Sequence, residues 1–242
     1  MKEQHIVSFS GGKDSTAMLL YMLENGMRVD RIINVDTTKE FPEMYDHIQK
    51  VEKYIGRRVE TVKIDFDYWF GEHVKTRGKM KGSKGYGWPD FRNRWCTALK
   101  REASSFLIAG KDYDPRKRGI AVIEYHGIAV IEYHGIAFDE PQRANKNPGR
   151  VIRYPLIEAR MTEADALKFC YDRGFDWGGL YERRTRVSCY CCPLQRIGEV
   201  RDVWENNPEL WAKMKDMDKK SFRKFRSNYS LDELEERFRK GK

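Results

Sequence analysis

Two hydrophobic periods alternate along the first quarter of the chain. Residues 5–10 form an apolar run, and residues 15–25 carry a helical pattern (Ala17, Met18, Leu19, Leu20, Met22, Leu23) that stops at Asn25-Gly26. Ile32 to Asp36 is a continuous run of the kind found in a strand buried on both faces. Pro42 stands where the first turn of a helix would be, and residues 42–55 run as a helix to Gly56. From Val59 to Ile64 the pattern alternates again. Strand–helix–strand–helix–strand implies right-handed crossovers. The expected fold class is therefore α/β, a twisted, mostly parallel sheet with helices on both faces. Ligands in such sheets lie outside the carboxyl ends of the strands, where residues 10–15 and 36–38 both fall.

The second half is less regular. Gly71, Gly78, Gly82, Gly85 and Gly87 deny regular structure to residues 71–95, and a helix follows over 97–109. The octapeptide Ile-Ala-Val-Ile-Glu-Tyr-His-Gly then occurs twice, at 120–127 and 128–135. As one strand it would span roughly 53 Å at ~3.3 Å per residue, too long for a domain of roughly 18 Å radius of gyration. One copy alone can be the sheet strand, and the second is assigned because the segment 135–143 follows from it. Thr162 opens a helix to Gly174 with a capping-box pattern, and Ser230 opens a short terminal one. Between them, 199–227 reads as amphipathic helix interrupted near Asn206-Asn207-Pro208. A boundary is expected near 160, with a sheet domain over 1–160 and a small helical C-terminal segment over 161–242.

Charge adds a preference. Forty-six basic against 37 acidic residues leave a net charge of +9, which suits polyanionic partners or simply a well-solvated surface. No apolar run approaches the ~18 residues of a membrane span, and no signal peptide is visible, so the expected compartment is the cytoplasm. In that setting Cys96, Cys170, Cys189, Cys191 and Cys192 read as metal ligands or catalytic groups rather than disulfides.

The chemistry starts at Ser8-Phe9-Ser10-Gly11-Gly12-Lys13-Asp14-Ser15, between the first strand and the first helix. The two glycines allow a tight turn, the helix start offers free N–H groups, and Ser10, Lys13 and Ser15 add hydroxyls and a cation. Together they make a phosphate cradle. The spacing fits neither a Walker A loop nor the G-x-G-x-x-G fingerprint. Lys75, Arg77, Lys79, Lys81, Lys84, Arg92 and Arg94 interleave with Tyr86, Trp88, Phe91 and Trp95. Cations with stackable rings suit a nucleotide or a single-stranded nucleic acid; the alternative is a solvated loop with an aromatic anchor. His5, His47 and His73 read as structural or exposed, and His134 lies near the inferred pocket.

The cradle resembles the PP-loop, S-x-G-x-D-S, of the adenine nucleotide alpha-hydrolase superfamily. Asp36-Thr37-Thr38-Lys39-Glu40-Phe41-Pro42-Glu43 resembles the D-T-G-x-x-F-P-E segment of the phosphoadenosine phosphosulfate reductase family, with Thr38 where glycine is preferred. Gly135 to Arg143 is similar to that family's G-x-R-x-x-E-S-x-x-R, with Ala137 in place of the first arginine. Tyr154-Pro155-Leu156 and Gly178-Gly179-Leu180-Tyr181 extend the likeness, which covers about residues 5–195. It implies an adenine nucleotide alpha-hydrolase-like fold, with the nucleotide held by Ser8, Ser10, Gly11, Gly12, Lys13, Asp14, Ser15, Asp36, Thr37, Gly135 and Arg143. Lys13 and Asp14 would be catalytic, Asp14 through magnesium.

One element of the family is missing. Its reductases carry a cysteine near the C-terminus in E-C-G-[LI]-H, and here no cysteine follows Cys192. The resemblance therefore shifts toward a short branch with C-x-C-C-P, matched by Cys189-Tyr190-Cys191-Cys192-Pro193. Cys96, Cys189, Cys191 and Cys192 are the implied ligands of a four-iron four-sulfur cluster or zinc, and Cys170 reads as a core thiol. The leading expectation is an ATP-using enzyme that adenylylates an acceptor. Arg143 and the basic 75–94 loop would hold the acceptor, whose identity stays open; a nucleic acid that receives sulfur from a donor protein is one candidate. The alternatives are a sulfonucleotide reductase using Cys191 or a partner's thiol, and a nucleotide-binding module of a nucleic-acid modification or defence assembly.

Overall fold

The computed structural model describes residues 2–120, 128–144 and 151–241. Its centre is a five-stranded sheet, β1 (Lys2–Ser8), β2 (Arg31–Asp36), β3 (Glu60–Lys63), β4 (Ile128–His134) and β5 (Val151–Arg153), in the order β3-β2-β1-β4-β5. Every pairing is parallel. The β1–β4 ladder is the longest, with seven paired positions from Lys2↔Ile128 to Ser8↔His134. Alternate residues of one strand serve opposite faces. Ile6, Ile33 and Val130 pack with Ile108, while Val7, Ile32 and Tyr133 belong to the main core.

Three helices follow the expected pattern closely: α1 (Lys13–Glu24), α2 (Pro42–Ile55) and α3 (Trp95–Ile108). The second octapeptide copy is strand β4, as expected, and the first lies outside the described residues apart from Ile120. Strand β5 was not foreseen, because three residues are too short to show a period. Also unforeseen is a turn of π-helix at Tyr68–Glu72.

After the sheet come α4 (Pro155–Glu158), α5 (Glu163–Tyr171), α6 (Leu180–Arg183), α7 (Ile197–Asn206), α8 (Pro208–Lys220) and α9 (Leu231–Arg239). The capping boxes at Thr162 and Ser230 are both formed. The helical stretch expected over 199–227 breaks at Asn207 and ends at Lys220, so 221–230 is not helical. The main core does not stop at residue 160. It runs from Val7 through Cys170, Trp177 and Leu180 to Phe238. No helix among the described residues is long and apolar enough to cross a membrane.

Candidate nucleotide and acceptor site

β1 ends at Ser8, buried Phe9 anchors the chain, and the turn begins at exposed Ser10. Gly11 adopts φ +78°, in the left-handed region, and Gly12 caps α1. Ser15 Oγ donates to the Gly12 carbonyl (3.0 Å) and accepts from Ser10 N–H (3.2 Å). The turn is also held from a distant part of the chain. Trp177 Nε1–H donates to the Gly11 carbonyl at 2.7 Å, and Lys13 N–H donates to Tyr181 Oη at 2.9 Å. Beneath it, Thr16 Oγ1 meets His47 Nε2 at 3.0 Å, and the His47 ring stacks on Trp177 at 4.3 Å. Burial, helped by Lys50, pushes the His47 pKa down to about 3, so this imidazole is neutral packing.

Gly135, expected to touch nucleotide, has a mechanical role as well. A Cβ there would lie 2.8 Å from Asp14 C and from Ser15 N and Cα. The missing side chain is what lets the end of β4 close against the first turn of α1. Both Gly135 and the turn border a cavity of about 710 Å³.

Lys13 and Asp14 pair with each other. Lys13 Nζ lies 2.7 Å from Asp14 and 3.5 Å from Glu163, the first residue of α5. Asp14 therefore has a cationic partner without any metal. Asp14, Glu140 and Glu163 each offer an oxygen within 4.8 Å of the others, the only such ligand group of three among the described residues. Burial raises the Asp14 carboxyl against the pull of Lys13. Burial also raises Glu163, against Lys13, and a hydrogen bond from the Glu163 carboxyl to Glu140 adds to this. Burial works on Glu140 too, but its bonds to Arg143 and Glu163 and the charge of Arg186 outweigh it and hold it low. Glu163 Oε1 is buried without a hydrogen-bond partner. Three carboxylates with oxygens within 4.8 Å of one another fit a divalent cation.

Arg143 lines the large cavity and pairs with Glu140, which also holds Arg186. Glu140, Glu163, Tyr181 and Arg186 were not singled out as site residues in the sequence. Glu140 and Tyr181 sit inside the quoted 135–143 and 178–181 segments, but Glu163 reads only as a helix start, and nothing local marks Arg186. Ala137, where the family carries an arginine, is fully buried.

A smaller cavity of about 190 Å³ opens at the ends of β2 and β3, lined among others by Asn34, Asp36, Tyr45, Thr61 and Lys63. Ser10 borders both cavities. Asp36 Oδ1 accepts from Thr38 N–H (2.6 Å) and Tyr45 Oη–H (3.0 Å). Thr37 departs from expectation: it is fully buried, and its hydroxyl donates to Glu40 at 2.8 Å and touches Cys189 Sγ at 3.2 Å. It faces the thiols rather than either cavity. Ser8 lines neither cavity.

Cys96 and Cys192 line the large cavity, and Cys189 lies behind it against Thr37 and Glu40. Cys191 is 2% exposed and lines neither cavity. Burial pushes all four thiols up, while Lys100 pulls Cys96, Cys189 and Cys192 back. Cys170 is a core thiol, with Sγ 3.6 Å from the Lys13 carbonyl. Four sulfurs each ~2.3 Å from one zinc ion would stand ~3.8 Å apart. Among the described residues no group of three ligand atoms within 4.8 Å includes a cysteine, so a closed zinc site is not formed. A four-iron cube holds its thiolates farther apart than one ion does. Lys100 is a cation common to Cys96, Cys189 and Cys192.

The basic stretch separates its rings. Trp88 and Trp95 are buried, and Tyr86 stacks on Trp69 at 5.9 Å. Trp88 Nε1–H donates to Asp218 of α8 at 2.6 Å. These three rings are anchors rather than stacking surfaces. Phe91 alone of the four stays exposed.

Residues 4–195 match the model of the phosphoadenosine phosphosulfate reductase domain. Two uncharacterized proteins of Methanocaldococcus jannaschii are similar, one 24% identical over 96% of this chain and 44% of its own length, the other 26% identical over 94% and 49%. The chain thus spans less than half the length of these curated relatives. Among solved structures, a U34-tRNA thiolase, NcsA, from Methanococcus maripaludis with its four-iron four-sulfur cluster superposes with a TM-score of 0.43 at 12% identity, over 90% of this chain and 71% of that one. A predicted tRNA methyltransferase subunit from Methanocaldococcus jannaschii gives 0.32 at 14%, over 75% and 94%. Superpositions this loose carry no information on chemistry.

Proposed function

Since this chain belongs to the phosphoadenosine phosphosulfate reductase domain family, we propose that it is a PP-loop enzyme that binds ATP and adenylylates an acceptor. The carrying observation is the trio Asp14, Glu140 and Glu163 beside the phosphate turn. Pyrophosphate as a leaving group calls for a divalent cation; thiol attack on a sulfonucleotide does not. Those carboxylates would hold magnesium, which supplies charge neutralisation to the leaving pyrophosphate.

The smaller cavity, with Asp36 and Tyr45, would take the adenosine end, and Ser10 at its border would pass the phosphates to the turn. The Lys13 ammonium, paired with Asp14 in the free protein, turns its charge to the β- and γ-phosphates. An acceptor atom forms a bond to the α-phosphorus as the bond to the bridging β-oxygen breaks, and pyrophosphate departs. Arg143 and Arg186 on the facing wall would orient an anionic acceptor. Cys96, Cys189 and Cys192, with Cys191 as fourth ligand, would hold a four-iron four-sulfur cluster. Sulfur transfer to a nucleic acid, fed by a donor protein, is the use that fits a cluster beside an adenylylated acceptor.

One observation favours a second reading, sulfonucleotide reduction: Cys96 and Cys192 border the same cavity as the turn. Cys191, the thiol first expected for it, does not. ATP–pyrophosphate exchange, stimulated by magnesium, tests the main reading. Release of sulfite from adenylyl sulfate or its 3′-phosphorylated form with a thiol donor, without any exchange, overturns it.

A further inference from the structure

Among the rings of the 71–95 stretch, Phe91 stands out: its exposure is 77%, the largest of any exposed large hydrophobic residue described. A single exposed ring is ordinary on a protein surface. Three further observations set this one apart. The Arg94 guanidinium lies over it, 5.8 Å from the ring centre. The turn that presents it is fastened: Asp90 Oδ1 accepts from Arg92 and Asn93 N–H at 2.8 and 2.7 Å, and Asp90 Oδ2 accepts from Arg223 at 2.6 Å. Pro89 and Arg94, on either side of it in sequence, line the large cavity, so the turn that carries the ring borders that cavity.

The charge around it is one-sided. Arg77, Lys79, Lys81, Lys84, Arg92 and Arg94 are all exposed, and none has a carboxylate partner among the described residues. The stretch's acids are Glu72 and Asp90, and Asp90 is already paired. Unneutralised cations running up to an exposed ring on a fastened turn match a flexible polyanion that carries flat apolar groups.

We propose that Phe91, backed by Arg94, is a stacking platform for one unpaired base of a nucleic-acid strand whose phosphates follow the cations of residues 77–94. A base has a π-face whatever its sequence, and a ring carried on a fastened turn leaves little backbone freedom to lose on stacking. The platform delivers the neighbouring nucleotide to the cavity, and in that respect it rests on reading the cavity as the acceptor site. A duplex hides its base faces and cannot stack on Phe91.

The test is fluorescence anisotropy with a labelled 12-nucleotide single-stranded RNA and with the same RNA annealed to its complement, on the whole chain. F91A weakens single-strand binding about 5- to 150-fold with its melting temperature unchanged, and F91W keeps it. K79E/K81E flattens the fall of affinity with salt. Single-strand binding by F91A equal to that of the unaltered protein overturns the proposal, as does tighter binding of the duplex or no saturable binding of either. ATP–pyrophosphate exchange is measured apart. A protein that binds the RNA through Phe91 yet exchanges no pyrophosphate sustains the platform and sinks only the adenylylation reading.

Discussion

Replacing Gly135 by alanine isolates the contact that shapes the phosphate turn. The added Cβ would lie 2.8 Å from Asp14 C and from Ser15 N and Cα. Carbon atoms pack at about 3.5–4.0 Å, so the two backbones must separate by roughly 1 Å. Strand β4 cannot slip to relieve the clash, because seven positions pair it to β1. The movement falls on the Ser10–Ser15 turn. Overpacking of this kind costs about 1–3 kcal/mol, and for a chain of this size that lowers Tm by about 2–10 °C. Function suffers more than stability, since a displacement near 1 Å at a positioned group can cost about 100-fold. Calorimetry gives the first quantity, and titration with ATP and with adenosine gives the second. ATP affinity falls at least about tenfold while adenosine affinity holds. Gly135→Ala protein with unaltered Tm and ATP affinity would show that β4 and the turn are not in contact.

Three other outcomes are expected. Thr38 sits at φ +62° on a β-branched residue, so Thr38→Gly relieves strain and raises Tm by about 2–4 °C; a lower Tm in thermal melts refutes this. Tyr181 Oη accepts the Lys13 N–H, which leaves its own hydrogen to donate into the cavity, so Tyr181→Phe weakens ATP about tenfold and leaves adenosine unaffected. Equal losses for both ligands would mean a purely structural tyrosine. Asp14 and Glu163 have folded-state pKa values raised above the ordinary 3.8 and 4.5, so their contribution to stability is full below those values and is lost as pH rises through the raised ones. Magnesium binding runs the other way: magnesium restores melting temperature at neutral pH, and its affinity by calorimetry increases as pH rises from about 4. A magnesium affinity that ignores pH across that window would remove the carboxylates from the site.

Features set by near neighbours were legible in the residues alone. The α2 limits at Pro42 and Ile55 match because proline opens a helix and glycine closes one. Capping boxes at Thr162 and Ser230 depend on residues three apart. The phosphate turn was legible because its glycines, hydroxyls and lysine are contiguous, and the family segments at 36–43 and 135–143 pointed to the strand ends that flank it. The fold class followed from alternating periods, which dictate parallel pairing whatever the side chains are in detail.

The site's remaining walls belong to tertiary structure. Lys13 meets Tyr181 across 168 positions and Cys170 across 157, so no local pattern can announce either contact. Glu163 becomes a site residue only because α5 packs on α1. Thr37 and Asp36 are adjacent yet part company, since successive residues at a strand end point to opposite sides. Trp88 and Phe91 stand three residues apart with the same aromatic character. Asp218, 130 positions away, draws one inward, and the other stays 77% exposed. The strand, the turn and the charge that make a phosphate cradle depend on covalent neighbours, and so they follow from the order of residues alone. Which carboxylates, thiols and rings surround that cradle was decided by packing between distant segments, where burial rather than residue type assigns the role.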